Sequence, residues 1–138
     1  MSLSNTFENN VMLYLFNATA ISGFPDTSSN LYVALHYDDP GEAGNQSTNE
    51  IDYATYARVY TTRGATGWTV ATSTASNAIP IVFSACTTSG STAAYVSVGT
   101  TGTGAGKILW YGALTAELVV SPGVTPSFTT AALACVID

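Results

Sequence analysis

Short apolar runs alternate with clusters of glycine, proline and small polar residues from residue 31 to the C-terminus. The runs are rich in valine, isoleucine, threonine and tyrosine, which favour β-strands. They predict strands at 31–37, 56–62, 77–83, 93–98, 107–114, 118–120 and 133–137, with shorter pieces at 67–70 and 126–129. About eight short strands joined by turns are typical of an antiparallel sandwich or barrel. We therefore predict a single mainly β domain over residues 1–138, an antiparallel β-sandwich with one N-terminal α-helix at 4–17.

The longest apolar run of the C-terminal half, residues 107–114, carries two large aromatic side chains, Trp110 and Tyr111. Because side chains alternate along a strand, these two aromatics are expected on opposite faces of the sheet. Both faces of the run are largely apolar, which indicates a central strand covered on both sides. We expect Trp110 and Tyr111 to support the core.

A helical period is found near the N-terminus, where Phe7, Val11 and Leu15 lie one turn apart. Ser4 or Asn5 is placed to cap this helix at its start. A wide apolar stripe of this kind is expected to lie on the sheet or on a neighbouring subunit. We assign Phe7, Val11 and Leu15 as residues that dock the helix in assembly.

A long polar loop at 38–54 contains five carboxylates: Asp38, Asp39, Glu42, Glu50 and Asp52. Oxygen ligands of this type suit a hard cation such as Ca²⁺, although their spacing matches no EF-hand. Turn chemistry at Asp39–Gly41 explains part of the pattern without an ion. We expect a solvated or partner-facing loop, with a cation site as the alternative, and we assign no metal ligands.

The charged fraction is unusually low, at 9%, and includes just three cations. Soluble domains usually contain about 25% charged residues. A net charge of −6 with no basic stripe argues against binding to nucleic acid or to an anionic membrane surface. No apolar run reaches transmembrane length, and the N-terminus lacks the basic region of a secretory signal. A surface of Ser, Thr, Gly and Asn loses little free energy when water is removed from it. This favours a subunit that packs against other subunits, and the alternative is an extracellular β-domain.

Candidate catalytic chemistry is sparse. The one histidine, His36, lies within a predicted strand, and we interpret it as a half-exposed structural residue. The glycine-rich segment 102–107 lacks the glycine and the Ser or Thr that a phosphate-binding loop requires, so we interpret it as a hairpin loop. The two cysteines, Cys86 and Cys135, are interpreted as buried thiols, with a disulfide as the alternative. We assign no catalytic residues and no cofactor, and we do not expect an enzyme.

Aromatic side chains offer one further possibility, since flat rings stack on sugars. Trp68 lies in a short segment flanked by turns and is the best candidate for an exposed, ligand-facing aromatic. No pair of carboxylates at a suitable spacing accompanies it, which argues against a glycosidase.

Four segments in order resemble a family of small tailed-phage virion proteins that are often labelled tail-fibre proteins. The helix at 5–16 is followed by a "LYVAL" strand at 31–35 and an acidic loop. A "YAR" strand at 56–59 comes next, and an "LWYGAL" strand at 109–114 comes late in the chain. Each segment alone is weakly specific, whereas the ordered set is fairly specific.

The resemblance implies a β-rich structural protein of a phage virion, assembled in the bacterial cytoplasm, with no catalytic residues to carry over. Expected partners are further copies of the chain and other virion proteins of the tail or the major capsid protein. The alternatives are a capsid decoration protein on the head and a module at a fibre tip that binds a host-surface glycan.

Overall fold

The computed structural model describes residues 2–17, 21–22, 30–71 and 74–137. One helix lies among these residues, α1 (Asn5–Asn17), which confirms the predicted N-terminal helix. The strands are β1 (Ser2–Leu3), β2 (Asn30–His36), β3 (Val59–Thr62), β4 (Trp68–Ala71), β5 (Thr74–Asn77), β6 (Ile81–Val82), β7 (Ser91–Gly99), β8 (Ile108–Val120), β9 (Ser127–Phe128) and β10 (Ala134–Val136).

The strands form three antiparallel sheets that stay open. A five-stranded sheet has the order β1-β8-β7-β2-β3, a three-stranded sheet has the order β10-β5-β4, and β6 pairs with β9. The cluster of buried apolar side chains draws on all three sheets, for example Val33, Ile81 and Cys135. The prediction of a mainly β, sandwich-like fold is therefore confirmed. The single-domain assignment stays a prediction. Within the described residues, no helix is both long enough and apolar enough to cross a membrane.

The strand predicted to be central is second from the edge. β8 lies between β7 and the two-residue β1, so β7 occupies the middle of the sheet. Residues 108–111 are covered as expected, with Ile108, Leu109 and Tyr111 buried, whereas much of the strand beyond Gly112 is exposed. A β-bulge explains the change, because four β8 residues between Ala113 and Leu118 lie opposite a single β7 residue.

The two faces of the large sheet differ in what covers them. The pairing register places Val33, Val98 and Trp110 on one face, which belongs to the apolar core. The opposite face carries Ala34 and Ser97, both fully buried, although it includes polar side chains. This second face is covered by part of the acidic loop, as described below.

The predicted strand at 77–83 is interrupted. Asn77 ends β5, and its side chain bonds three backbone groups that hold the following turn: Ile79 O at 2.8 Å, Thr129 O at 2.8 Å and Leu133 N at 2.9 Å. Pro80 cannot donate a backbone hydrogen bond, and it lies exposed just before β6. The predicted strand at 56–62 is likewise shorter and begins at Val59. Cys86 and Cys135 are both buried and unbridged, which confirms the thiol interpretation.

Candidate functional site

The start of α1 is fixed to β8 by a single serine. Ser4 is the capping residue, since its hydroxyl accepts a hydrogen bond from Phe7 N at 3.3 Å. The same hydroxyl donates to Ile108 O at 2.9 Å. Because Ser4 is buried, both bonds are shielded from water, and the helix entry is tied to the strand.

The predicted docking residues have different surroundings. Phe7 is 5% exposed and meets Trp110 edge-on, with ring centroids 5.6 Å apart. Val11 is half-buried, and the side chain of Leu15 lies outside the described residues. Phe7 therefore docks the helix within its own chain. A role of these three residues in contacts between subunits stays a prediction.

Glu42 in the acidic loop supports the same helix terminus. One carboxylate oxygen accepts a hydrogen bond from Asn5 N at 3.1 Å, and the other accepts one from the hydroxyl of Tyr111. A carboxylate at a helix N-terminus is stabilised by the unpaired N–H groups and the helix dipole. Glu42 thus joins the loop, the helix and β8.

Residues 38–50, which we call the strap, lie across the second face of the large sheet. Gln46 is fully buried in the strap, and its side-chain amide donates to Tyr32 O at 3.1 Å and accepts from Thr101 N at 3.1 Å. Its backbone N–H donates to Gly106 O at 2.8 Å. The expectation of a solvated loop is wrong at Gln46, because backbone groups of the sheet and of the 100–106 hairpin satisfy its buried amide, whereas Asp38, Asp39 and Ser47 are exposed as expected.

Arg58 connects the strap to that hairpin. Its Nε and Nη2 donate to the two oxygens of Glu50 at 2.7 and 2.6 Å, a bidentate ion pair. The other donors reach Thr101 O at 3.0 Å and Gly104 O at 2.8 Å. Tyr56 also donates to Glu50 at 3.0 Å, and burial raises the pKa of its phenol. All of these groups are engaged in holding two loops together.

His36 is fully buried, so the interpretation as a half-exposed residue is wrong. Its Nδ1 lies 2.8 Å from Thr48 O, and its Nε2 lies 2.8 Å from Ser97 Oγ. A carbonyl accepts only, so Nδ1 carries the proton of the neutral ring and Nε2 accepts from the serine hydroxyl. Burial lowers the pKa of His36 below its ordinary value of 6.5. A polar strand residue is buried here because the strap supplies its partner.

Trp68 is also buried, with 7% of its surface exposed, and its indole donates to Thr61 Oγ1 at 2.7 Å. The expectation that it is exposed is therefore wrong, and a ligand-facing role for Trp68 stays a prediction. The glycine-rich segment before Lys107 connects β7 to β8, which confirms a hairpin loop.

The acidic side chains do not converge. Glu42 and Glu50 face different partners, as described above, and no group of three or more His, Cys, Asp or Glu suited to a metal ion occurs among the described residues. Gln46 gave no sequence signal, because its partners lie far away along the chain, and Glu50 was recognised only as one of the loop carboxylates, without its pairing to Arg58.

Apolar side chains are exposed on two edge strands and on the part of β8 that extends beyond its pairing with β1. Tyr60 on β3, Val70 on β4 and Val119 on β8 are 63%, 72% and 65% exposed. Beside the bulge of β8, a groove of about 440 Å³ is lined in part by Leu114, Leu118, Phe128 and Leu133. These features indicate surfaces suited to contact with other chains.

A comparison with known protein families identifies the chain. A family described as podophage GP4 fiber I protein gp80 matches residues 2–135. The chain belongs to this phage fibre family. No curated protein matches the chain. The family match confirms the resemblance inferred from the four ordered segments, and it covers the helix, the strap and all three sheets.

Membership identifies the chain as a structural protein of a phage fibre, and hence as a virion component that associates with other virion proteins. The site is accordingly a set of contacts that hold the strap, the helix and the hairpin against the large sheet.

Proposed function

We propose that this protein is a non-enzymatic module of a phage tail fibre, assembled in the host cytoplasm through repeated contacts with its own copies and with neighbouring tail proteins. The observation that carries the proposal is the family match over residues 2–135. A module repeated by symmetry gains stability from many modest contacts acting together.

The surface supports this proposal. The exposed apolar side chains Tyr60, Val70 and Val119 lie on three different strands that form or extend sheet edges. The chain has only three cations, and Arg58 is buried in an ion pair. Edges of monomeric β-proteins commonly carry lysine or proline that blocks further pairing. A surface with few charges and apolar edges is suited to packing against other subunits.

The side chains with catalytic potential also support a structural role. His36 is fully buried between Thr48 and Ser97, out of reach of a substrate. Burial raises the pKa of Cys135 to about 12, so its reactive thiolate is scarce at neutral pH. These groups are used for packing.

The test is immunogold electron microscopy of intact virions with an antibody against this protein. Label on the tail fibres is the expected result. Label in a regular array over the head would instead establish a capsid decoration protein. Label confined to fibre tips, together with binding on a glycan array, would establish a receptor-binding module. The absence of both label and matching peptides from purified particles would refute the virion assignment for this chain.

A further inference from the structure

Two tyrosines occupy neighbouring positions on the second face of the large sheet, beside the strap. Tyr32 on β2 and Tyr60 on β3 are register partners, so their Cβ atoms lie about 5 Å apart on the same face. Tyr60 is 63% exposed, and Tyr32 is half-buried. Within the part of the chain that the structure describes, neither phenol hydroxyl forms a hydrogen bond. The pair therefore presents an exposed aromatic ring together with two unused polar groups.

The tip of the hairpin between β7 and β8, residues 102–104, adjoins this pair. A Cβ placed on Gly102 would lie 2.9 Å from Cε1 of Tyr32, so the backbone of the tip contacts the ring. Arg58 fixes the tip by donating to Thr101 O at 3.0 Å and to Gly104 O at 2.8 Å. A surface that is already fixed loses less conformational entropy when a ligand binds to it.

A depression of about 270 Å³ lies next to the tyrosines and shares Gly102 with them. Glu50, Arg58 and the backbone of the hairpin tip form much of its lining. Drug-sized ligands occupy pockets of about 300–1,000 Å³, so this depression suits a ligand of one or two rings. We define the hairpin site as Tyr32, Glu50, Arg58, Tyr60 and the tip 102–104.

The charges at the hairpin site are already balanced. All five N–H donors of Arg58 have acceptors on Glu50, Ser47 and the hairpin, so none remains for an anionic ligand. Glu50 accepts three hydrogen bonds, two from Arg58 and one from Tyr56. A carboxylate can accept about four, and the Glu50 side chain is 18% exposed. One acceptor position therefore remains for a neutral donor such as a hydroxyl group.

We propose that the hairpin site binds a neutral saccharide, with one sugar ring stacked on Tyr60 and a sugar hydroxyl donating to Glu50. One face of a sugar ring presents polarised C–H groups, which the negative face of an aromatic ring attracts, and its rim carries hydroxyls. Tyr60 lies two residues from Arg58 on the same face, about 7 Å along the chain, which one or two sugar rings can span. Nucleobases also stack on aromatic rings, but the net charge of −6 opposes binding to nucleic acid.

A single shallow site of this kind binds weakly. In a fibre that contains many copies of the module, such sites act together and raise the overall affinity for a surface that carries the sugar. This consequence rests on the proposed function, whereas binding by the isolated chain does not. A negative binding result would therefore leave the fibre assignment in place.

A glycan array that carries neutral, sialylated and sulfated oligosaccharides tests the isolated protein. We expect binding to neutral oligosaccharides and not to the acidic ones. Tyr60→Ala should weaken the binding about tenfold or more, because the stacking ring is lost, and Tyr60→Phe should retain it. Val70→Ala truncates a similarly exposed side chain on another sheet and should bind as the wild type does. A preference for the acidic oligosaccharides, or equal binding by Tyr60→Ala and the wild type, would overturn the proposal.

An NMR titration of the unaltered protein detects binding that is too weak for the array. The probes are glucose, galactose, mannose, rhamnose and N-acetylglucosamine, each added at a concentration that detects millimolar affinity. We expect at least one of them to shift the amide signals of Gly102 and Thr103 while the signal of the core residue Val98 stays constant. The proposal would be overturned if no probe shifted the hairpin signals. It would also be overturned if Tyr60→Ala changed the oligomeric state of a protein that binds no sugar, since Tyr60 would then be a contact between subunits.

Discussion

Replacing Phe7 by alanine tests whether the N-terminal helix is part of the folded module or is held only by neighbouring subunits. Phe7 is buried against Trp110 within a single chain, and the cap at Ser4 fixes the helix beside it. We therefore expect the isolated protein to lose stability when this ring is removed.

The magnitude follows from the contacts of the ring. Truncating a buried phenylalanine to alanine typically costs about 3–5 kcal/mol, which combines lost burial with the cavity left behind. About 0.5–1.5 kcal/mol of the interaction is expected from the edge-on contact with Trp110. A terminal helix can undock instead of leaving a cavity, which limits the loss. We expect a decrease of about 3 kcal/mol in the free energy of unfolding, at the low end of the range.

Urea denaturation followed by tryptophan fluorescence measures this quantity. The loss should be seen as a lower midpoint with little change in the slope. Phe7→Leu keeps most of the apolar volume and should cost less than about 1.5 kcal/mol. Thr6→Ala, at the exposed neighbouring position, should stay within about 0.5 kcal/mol of the wild type.

A loss below about 1 kcal/mol for Phe7→Ala would show that the ring does not pack within the isolated chain, because removing a buried phenylalanine ring costs more than that. If that variant were stable but failed to assemble into particles, Phe7 would be an intersubunit residue, as its place in the helical stripe first suggested.

Three further substitutions test the remaining contacts by the same denaturation assay. Arg58→Ala leaves the partly buried Glu50 carboxylate without its ion-pair partner and should cost about 3 kcal/mol, at the low end of the range for breaking a buried pair. Arg58→Lys should be intermediate because lysine cannot form the bidentate pair, and a loss near zero for Arg58→Ala would contradict the ion pair. Gly106→Ala should lower the free energy of unfolding by about 1–3 kcal/mol, because a Cβ at this position collides with Gln46 Oε1. A variant as stable as the wild type would show that the strap is loosely packed. Trp68→Ala should lower the free energy of unfolding by about 3–5 kcal/mol, because the buried ring packs in the core. If the variant instead kept its stability and lost glycan binding, Trp68 would be a ligand-facing ring.

The hydrophobic pattern correctly predicted the helix and the strands in which apolar side chains repeat regularly over neighbouring residues. The stripe through Phe7 and Val11 gave the helix, and β2 was expected within one residue of its observed start and end. The length of β8 was missed, because the bulge after Ala113 breaks the alternation on which a strand prediction rests. Its position beside the edge depends on β1, a strand of two residues that has no detectable period.

Several of the polar contacts were not predictable, because they join residues that are far apart along the chain. His36 bonds to Ser97, 61 residues away, and Arg58 bonds to Gly104, 46 residues away. Trp68 was expected to be exposed because its segment is short and flanked by turns, and His36 half-exposed because of its place in a strand, yet each side chain has a partner inside the fold. Burial of a polar group depends on whether the tertiary structure supplies that partner, which composition and spacing do not encode.

The pairing of β1 with β8 has a consequence for synthesis of the chain. Ser2 pairs with Tyr111, and Phe7 packs on Trp110, so the helix must wait until β8, about 100 residues later, has been made before it can dock. At about 5–20 residues per second, the apolar stripe of the helix stays without its sheet for about 5–20 seconds after it leaves the ribosome. Contacts between such distant residues also slow folding. We expect the nascent helix to be a segment that needs protection by host chaperones until β8 has been made.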